Sequence, residues 1–255
     1  IRWIKNAFSG NLGMSYTYNV PVKTLIGERA VNTFILSLVS LILTYCIAIP
    51  LGMLSGRYQN SFLDKFVTFY NYVSYAIPTF VLSLIMIWFF GYKLGWFPTT
   101  GSVTAGLETG KMGHFWDRIY HIILPSITYA LLGTTWIIQY LRNEVIEAKS
   151  LDYVKTAKSK GVPENKIYSR HIFRNSILPI AAFFGYAITG LLGGSIFIEK
   201  IFSYPGMGGL FINSIVTRDY SVVTALILLF GFLTLFGSLL SDIILSIVDP
   251  RIRIK

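Results

Sequence analysis

Charged residues withdraw from five long stretches of this chain. No Asp, Glu, Lys or Arg occurs in Ala30–Gly56 (27 residues), Phe66–Tyr92 (27), Ile119–Leu141 (23), Asn175–Ile198 (24) or Tyr220–Ser241 (22). An α-helix rises about 1.5 Å per residue, so about 20 apolar residues cross a hydrocarbon core about 30 Å thick. All five stretches are long enough. The pattern predicts an all-α, polytopic transmembrane helical bundle forming a single transmembrane domain over residues 1–255, with spans near 30–56, 66–92, 119–141, 175–198 and 220–241. Five such runs in succession exclude a soluble domain with buried helices.

Composition sharpens this picture. The chain is 53% hydrophobic and 13% charged, about half the charge of an ordinary soluble domain. Aromatic residues such as Trp88, Tyr92, Trp96, Trp116, Tyr120 and Tyr220 sit near run ends, where amphipathic rings suit headgroup depth. The single cysteine, Cys46, permits no intrachain disulfide, and His114, His121 and His171 lack metal-site spacing. The net charge of +10 falls in loops between spans, where membrane topology and anionic lipid account for it and nucleic acid is not required.

Lys and Arg also set the orientation. Segments 57–65, 142–174 and 242–255 hold 13 of them, against 9 in segments 1–29, 93–118 and 199–219, and segment 142–174 alone holds 8. The positive-inside rule places the 142–174 loop and the C-terminus in the cytoplasm and the N-terminus outside. Ile1 is not Met, and an outside N-terminus without a signal sequence predicts a sixth span upstream.

Pro50 and Pro78 interrupt apolar runs and predict kinks. Gly190 and Gly194 form a small-xxx-small pair that permits close helix approach. No Asp, Glu, Lys or Arg lies deep in a span, which argues against self-powered, ion-driven transport. Polar residues that could line a translocation path are Asn32, Ser37, Asn71, Ser74, Thr79, Thr134 and Gln139. Each serves equally as a helix–helix hydrogen bond.

The 142–174 segment is too polar to span, yet its pattern is helical. Gly161 reads as a helix stop, Pro163-Glu164 as the first turn of a second helix. That second helix puts Ile167, Tyr168, Ile172 and Phe173 on one side and Lys166, Arg170 and Arg174 in a basic stripe. Such a surface pair could anchor the loop, bind anionic lipid or dock a cytoplasmic partner. The chain contains no phosphate-binding loop, so powered transport requires an external motor and a surface to receive it.

The motifs in this region carry a resemblance. Lys155-Thr156-Ala157-Lys158-Ser159-Lys160-Gly161 is followed by Arg170-His171-Ile172-Phe173-Arg174-Asn175-Ser176-Ile177-Leu178-Pro179. Glu199-Lys200-Ile201-Phe202-Ser203-Tyr204-Pro205-Gly206-Met207-Gly208, Arg218-Asp219-Tyr220 and Asp249-Pro250-Arg251 come later, in order. The chain resembles the permease subunits of bacterial ABC importers for dipeptides, oligopeptides and nickel. Relative to the general family motif, Lys155 replaces a Glu and Thr156 an Ala, as in the peptide branch.

The resemblance implies a permease subunit of an ATP-driven dipeptide or oligopeptide importer, a multi-pass protein of the bacterial plasma membrane. It would form half the translocation path. Its partners would be a related second permease, two ATP-binding subunits, an extracellular substrate-binding protein and membrane lipid. Contact with the ATPases would fall to Thr156, Ala157, Lys160, Gly161, Glu164, Arg170, His171 and Arg174. The chain would be no enzyme and bind no cofactor, ATP and Mg belonging to the ATPases. Nickel or a metal chelate is the alternative cargo, and a non-transporting membrane scaffold the alternative of another class.

Overall fold

The computed structural model describes residues 9–106 and 112–248. Among them there is no β-strand, only an isolated bridge between Met14 and Pro21. The helices are α1 Val22–Arg57, α2 Phe62–Ala76, α3 Thr79–Lys93, α4 Met112–Ala148, α5 Asp152–Ser159, α6 Glu164–Ser176, α7 Leu178–Gly190, α8 Ile196–Ile201, α9 Met207–Val216 and α10 Tyr220–Val248. The Asp249-Pro250-Arg251 motif, the first eight residues and residues 107–111 lie outside the described residues.

Among the described residues three helices, α1, α4 and α10, are long and apolar enough to cross a membrane. Counting each of the bent pairs α2–α3 and α6–α7 as one span gives up to five. The predicted second span is therefore two helices. Pro78 caps α3, and as α2 ends its backbone turns extended at Ile77, the conformation that a residue before proline favours. Pro50, by contrast, lies within the unbroken α1, and Pro125 within α4. The predicted fourth span, 175–198, is also interrupted. Its main helix α7 stops at Gly190, and α8 starts afresh at Ile196 after a turn in which Gly194 has φ +65°.

Contacts divide the chain into two compact units. One comprises residues 1–40, 78–129 and 188–237; the other, 41–77, 130–187 and 238–255. The first has an apolar core of Val22, Leu25 and Ile26 from α1, Met207 and Leu210 from α9, and Val222, Ala225 and Leu226 from α10. The core of the second joins Ala48 of α1, Val67 of α2, Ile137, Ile138, Leu141 and Val145 of α4, and Ile180 of α7 to residues of α5 and α6. Close approach here depends on small residues. A Cβ at Gly56 would meet the Val145 side chain at 2.6 Å, and one at Gly185 would overlap the backbone of Ser241.

Candidate functional site

The second unit carries the surface helix pair. Helix α5 ends on a Schellman turn: Val162 N–H donates to Ala157 O (3.2 Å) and Gly161 N–H to Lys158 O (2.9 Å), with Gly161 at φ +71°. Val154 and Ala157 of α5 and Ile167, Tyr168 and Ile172 of α6 enter the apolar core. Thr156, Lys160, Gly161, Glu164, Lys166, Arg170, His171 and Arg174 are exposed.

The pair thus rests on an apolar underside and presents a polar, mainly basic ridge. Three details differ from the sequence expectation. Ala157 is buried, so it seats the helix and is not part of the exposed ridge. Residues 142–148 belong to α4, so the connecting segment starts later than Arg142. Pro163 stands at the N-cap of α6 and not inside its first turn. Helix α6 is also wound as a π-helix over Ile167–Ile172.

Beneath the pair lies a polar clasp that sequence reading missed. Asp64, 2% exposed, sits in the first turn of α2. It accepts from Arg142 Nε (2.6 Å) and Nη2 (2.9 Å), from Ser55 Oγ (2.5 Å) and from the Asn60 N–H (2.8 Å). A bidentate guanidinium–carboxylate pair fixes both side chains in direction as well as distance. Arg57 donates to Asn165 Oδ1 at 2.7 Å, and its guanidinium lies 4.7 Å from the Tyr168 ring centroid. Lys149 Nζ reaches Arg57 O at 3.0 Å, satisfying a carbonyl at the end of α1. The clasp links the ends of α1, α2 and α4 to α6. The only signal in the sequence was an acid and a base each standing at the edge of an apolar run.

In the first unit, the Glu199–Gly208 motif makes a closed loop. Helix α9 has Gly206 as N-cap and no side-chain cap of its own, so its first N–H groups need partners from elsewhere. Thr33 Oγ1 accepts from Met207 N–H at 2.7 Å, and Glu199 accepts from Gly209 N–H at 2.8 Å. Thr33 in turn donates to Glu199 at 2.8 Å. The carboxylate thus sits at a helix N-terminus, where it is favoured. Gly206 leaves the space it fills, for a Cβ there would overlap the carboxylate. Burial nonetheless pushes the Glu199 pKa up against these hydrogen bonds, and it pushes the nearby Tyr204 phenol up to about 12.

Asp219, fully buried, immediately precedes α10. It accepts from Ser15 Oγ (2.5 Å) and Thr17 N–H (3.1 Å). Burial raises its pKa, but these and further backbone hydrogen bonds outweigh that effect and hold it below the usual range. A depressed folded-state value stabilises the fold above the unfolded Asp pKa of about 3.9. That stability is lost as pH falls through the folded value. Ser15→Ala therefore narrows the gap, and the expected result is a smaller drop in thermal midpoint between pH 6 and pH 3 than in the unaltered chain, read from melting curves in detergent.

The predicted path residues separate into groups. Asn32 is a strut, donating to Pro205 O (2.9 Å) and accepting from Arg118 (2.7 Å). Thr134 is fully buried and engaged with Leu131 O (2.7 Å) and the Tyr70 hydroxyl (2.8 Å). Ser37 is buried, whereas Ser74 and Thr79 are half-buried. Asn71 and Gln139 are brought together, 3.5 Å apart across α2 and α4.

Comparison with known proteins now places the chain. Residues 48–254 match the family described as binding-protein-dependent transport system inner membrane component. The chain belongs to this family. It is 39% identical over 99% of its length to the oligopeptide transport system permease protein AppB of Bacillus subtilis, covering 79% of that protein. It is 32% identical, over 99% of its length and 79% of the relative's, to the dipeptide transport system permease protein DppB of Lactococcus lactis. A chain of the MetNI methionine ABC transporter shares the fold with TM-score 0.66 at 16% identity, over 88% of this chain and 96% of that one. The chain is thus an ABC-transporter permease, multi-pass in the inner membrane.

Proposed function

We propose that this permease is one membrane subunit of an ATP-driven importer of short peptides. The observation that carries the reading is the exposed ridge of α5 and α6 set on a buried apolar seat. A ridge held only by a flexible loop would absorb a push. This one is braced by the Gly161 turn, by core contacts with α4, and by Arg57 and the Asp64–Arg142 clasp behind it. Close-packed interiors pass displacement on instead of yielding to it. Thr156, Lys160, Gly161, Glu164, Arg170, His171 and Arg174 form the surface received by the ATPases, and Ala157 holds it from below.

In this reading the ridge and the C-terminus face the cytoplasm. A related permease completes the path, two ATP-binding subunits supply ATP and Mg chemistry, and an extracellular binding protein delivers cargo. Relatives named for oligopeptides and dipeptides support peptide as cargo, and nickel is not favoured. The test is uptake of labelled di- to pentapeptides by the whole complex in proteoliposomes. Uptake that requires both ATP and binding protein is expected. A complex that hydrolyses ATP yet imports no peptide overturns the cargo, and a chain that co-purifies with no ATPase subunit overturns the importer reading.

A further inference from the structure

The second unit contains a cavity of about 420 Å³ between α2 and α4. Asn71 and Thr135, 4% and 9% exposed, lie at its buried base beside Gln139. Tyr75, Trp136 and Tyr140 are its exposed sides. Asn71 Oδ1 and Thr135 Oγ1 are buried and have no hydrogen-bond partner among the described residues. Unpaired buried oxygens are rare because a lost hydrogen bond to water is not replaced. Two of them in one cavity point to an occupant that supplies hydrogen-bond partners.

The chemistry of the lining narrows the occupant. Among the described residues no charged side chain lines the cavity, so no opposite charge there pairs with a carboxylate, an ammonium group or a bare metal ion. Amide and hydroxyl groups at the base do not suit a lipid tail. A secondary amide fits: its N–H has an acceptor in Asn71 Oδ1, and its carbonyl has a donor in the Thr135 hydroxyl. The aromatic sides offer apolar and π surface to side chains of many kinds.

We infer that this cavity is a peptide-backbone subsite on the translocation path, reading one peptide unit and tolerating its side chains. The inference rests on the importer reading above. It adds Thr135, Tyr75, Trp136 and Tyr140 to the path and gives Asn71 a defined role.

The experiment uses the whole complex in proteoliposomes with labelled trialanine as the probe. A benzophenone amino acid replaces Tyr140, and light is applied during ATP turnover. Trialanine crosslinked to this chain is the expected result. Crosslinks to the second permease or to lipid alone, with trialanine still imported, overturn the subsite. Alongside, N71L/T135V is expected to slow trialanine uptake about tenfold, as two lost hydrogen bonds would, with co-purification of the ATPase subunits checking assembly. Wild-type uptake rates in the double variant count against the subsite. Should the double variant fail to assemble, Tyr75→Ala, which alters a side chain 86% exposed, must still slow uptake for the proposal to stand. Failure of the unaltered complex to import trialanine would instead bring down the importer reading.

Discussion

Replacing Asp64 by Asn lowers the stability of this permease more than any surface change will. Asp64 is 3% and Arg142 17% exposed at the side chain. Removing one member of such a pair leaves the other charge buried without compensation, at about 3–5 kcal/mol. Asn retains one acceptor oxygen but cannot receive the bidentate fork of Arg142 together with Ser55 and the Asn60 N–H. For a chain of this length the expected fall in thermal midpoint is about 10 °C, measured in detergent at neutral pH. The double variant D64L/R142M recovers much of the loss, because an apolar pair of similar volume needs no desolvation of charge. A single variant that melts with the unaltered chain would show that the clasp contributes nothing to stability.

Gly161→Val separates coupling from folding. At φ +71° a β-branched residue is strained by about 1–3 kcal/mol, although a Cβ at this position meets nothing within 4 Å. The penalty therefore comes from the backbone and not from a clash, and it is relieved by reopening the turn between α5 and α6. The expected outcome is a complex that still assembles but whose ATP-driven peptide uptake falls about tenfold, as each 1.4 kcal/mol of misplacement would produce. Gly161→Asn is the control, since Asn tolerates the left-handed region and should retain most of the uptake. Equal loss in both variants would assign the effect to the side chain and not to the turn.

Much of this molecule was legible because the relevant signals are local. The apolar runs of α1, α4 and α10 needed only a window of about 20 residues to recognise. The α5–α6 pair was visible through the alternation of Ile167, Tyr168 and Ile172 with Lys166, Arg170 and Arg174 and through the glycine at its stop. The break at Pro78 followed from the proline itself. The other breaks were less legible. Pro50 also lies in an apolar run, but α1 passes through it unbroken. The end of α7 at Gly190 is apolar on both sides, so hydropathy alone carries no mark of it.

The candidate site divides along the same line. The sequence alone determined that the chain enters a membrane, that its charge gathers beside α5 and α6, and that Gly161 joins two short helices. Those properties depend on neighbours within a few turns. Tertiary structure alone decided that Asp64 meets Arg142, 78 residues away, that Glu199 and Thr33 cap the start of α9, and that Asn71 and Thr135 share a cavity. It also turned Ala157 inward and tied Asn32 to Pro205. In each case the deciding interaction joins side chains on different helices. Whether a polar residue in a membrane helix becomes a strut, a cap or part of a path depends on which helix packs against it, and no local pattern encodes that choice.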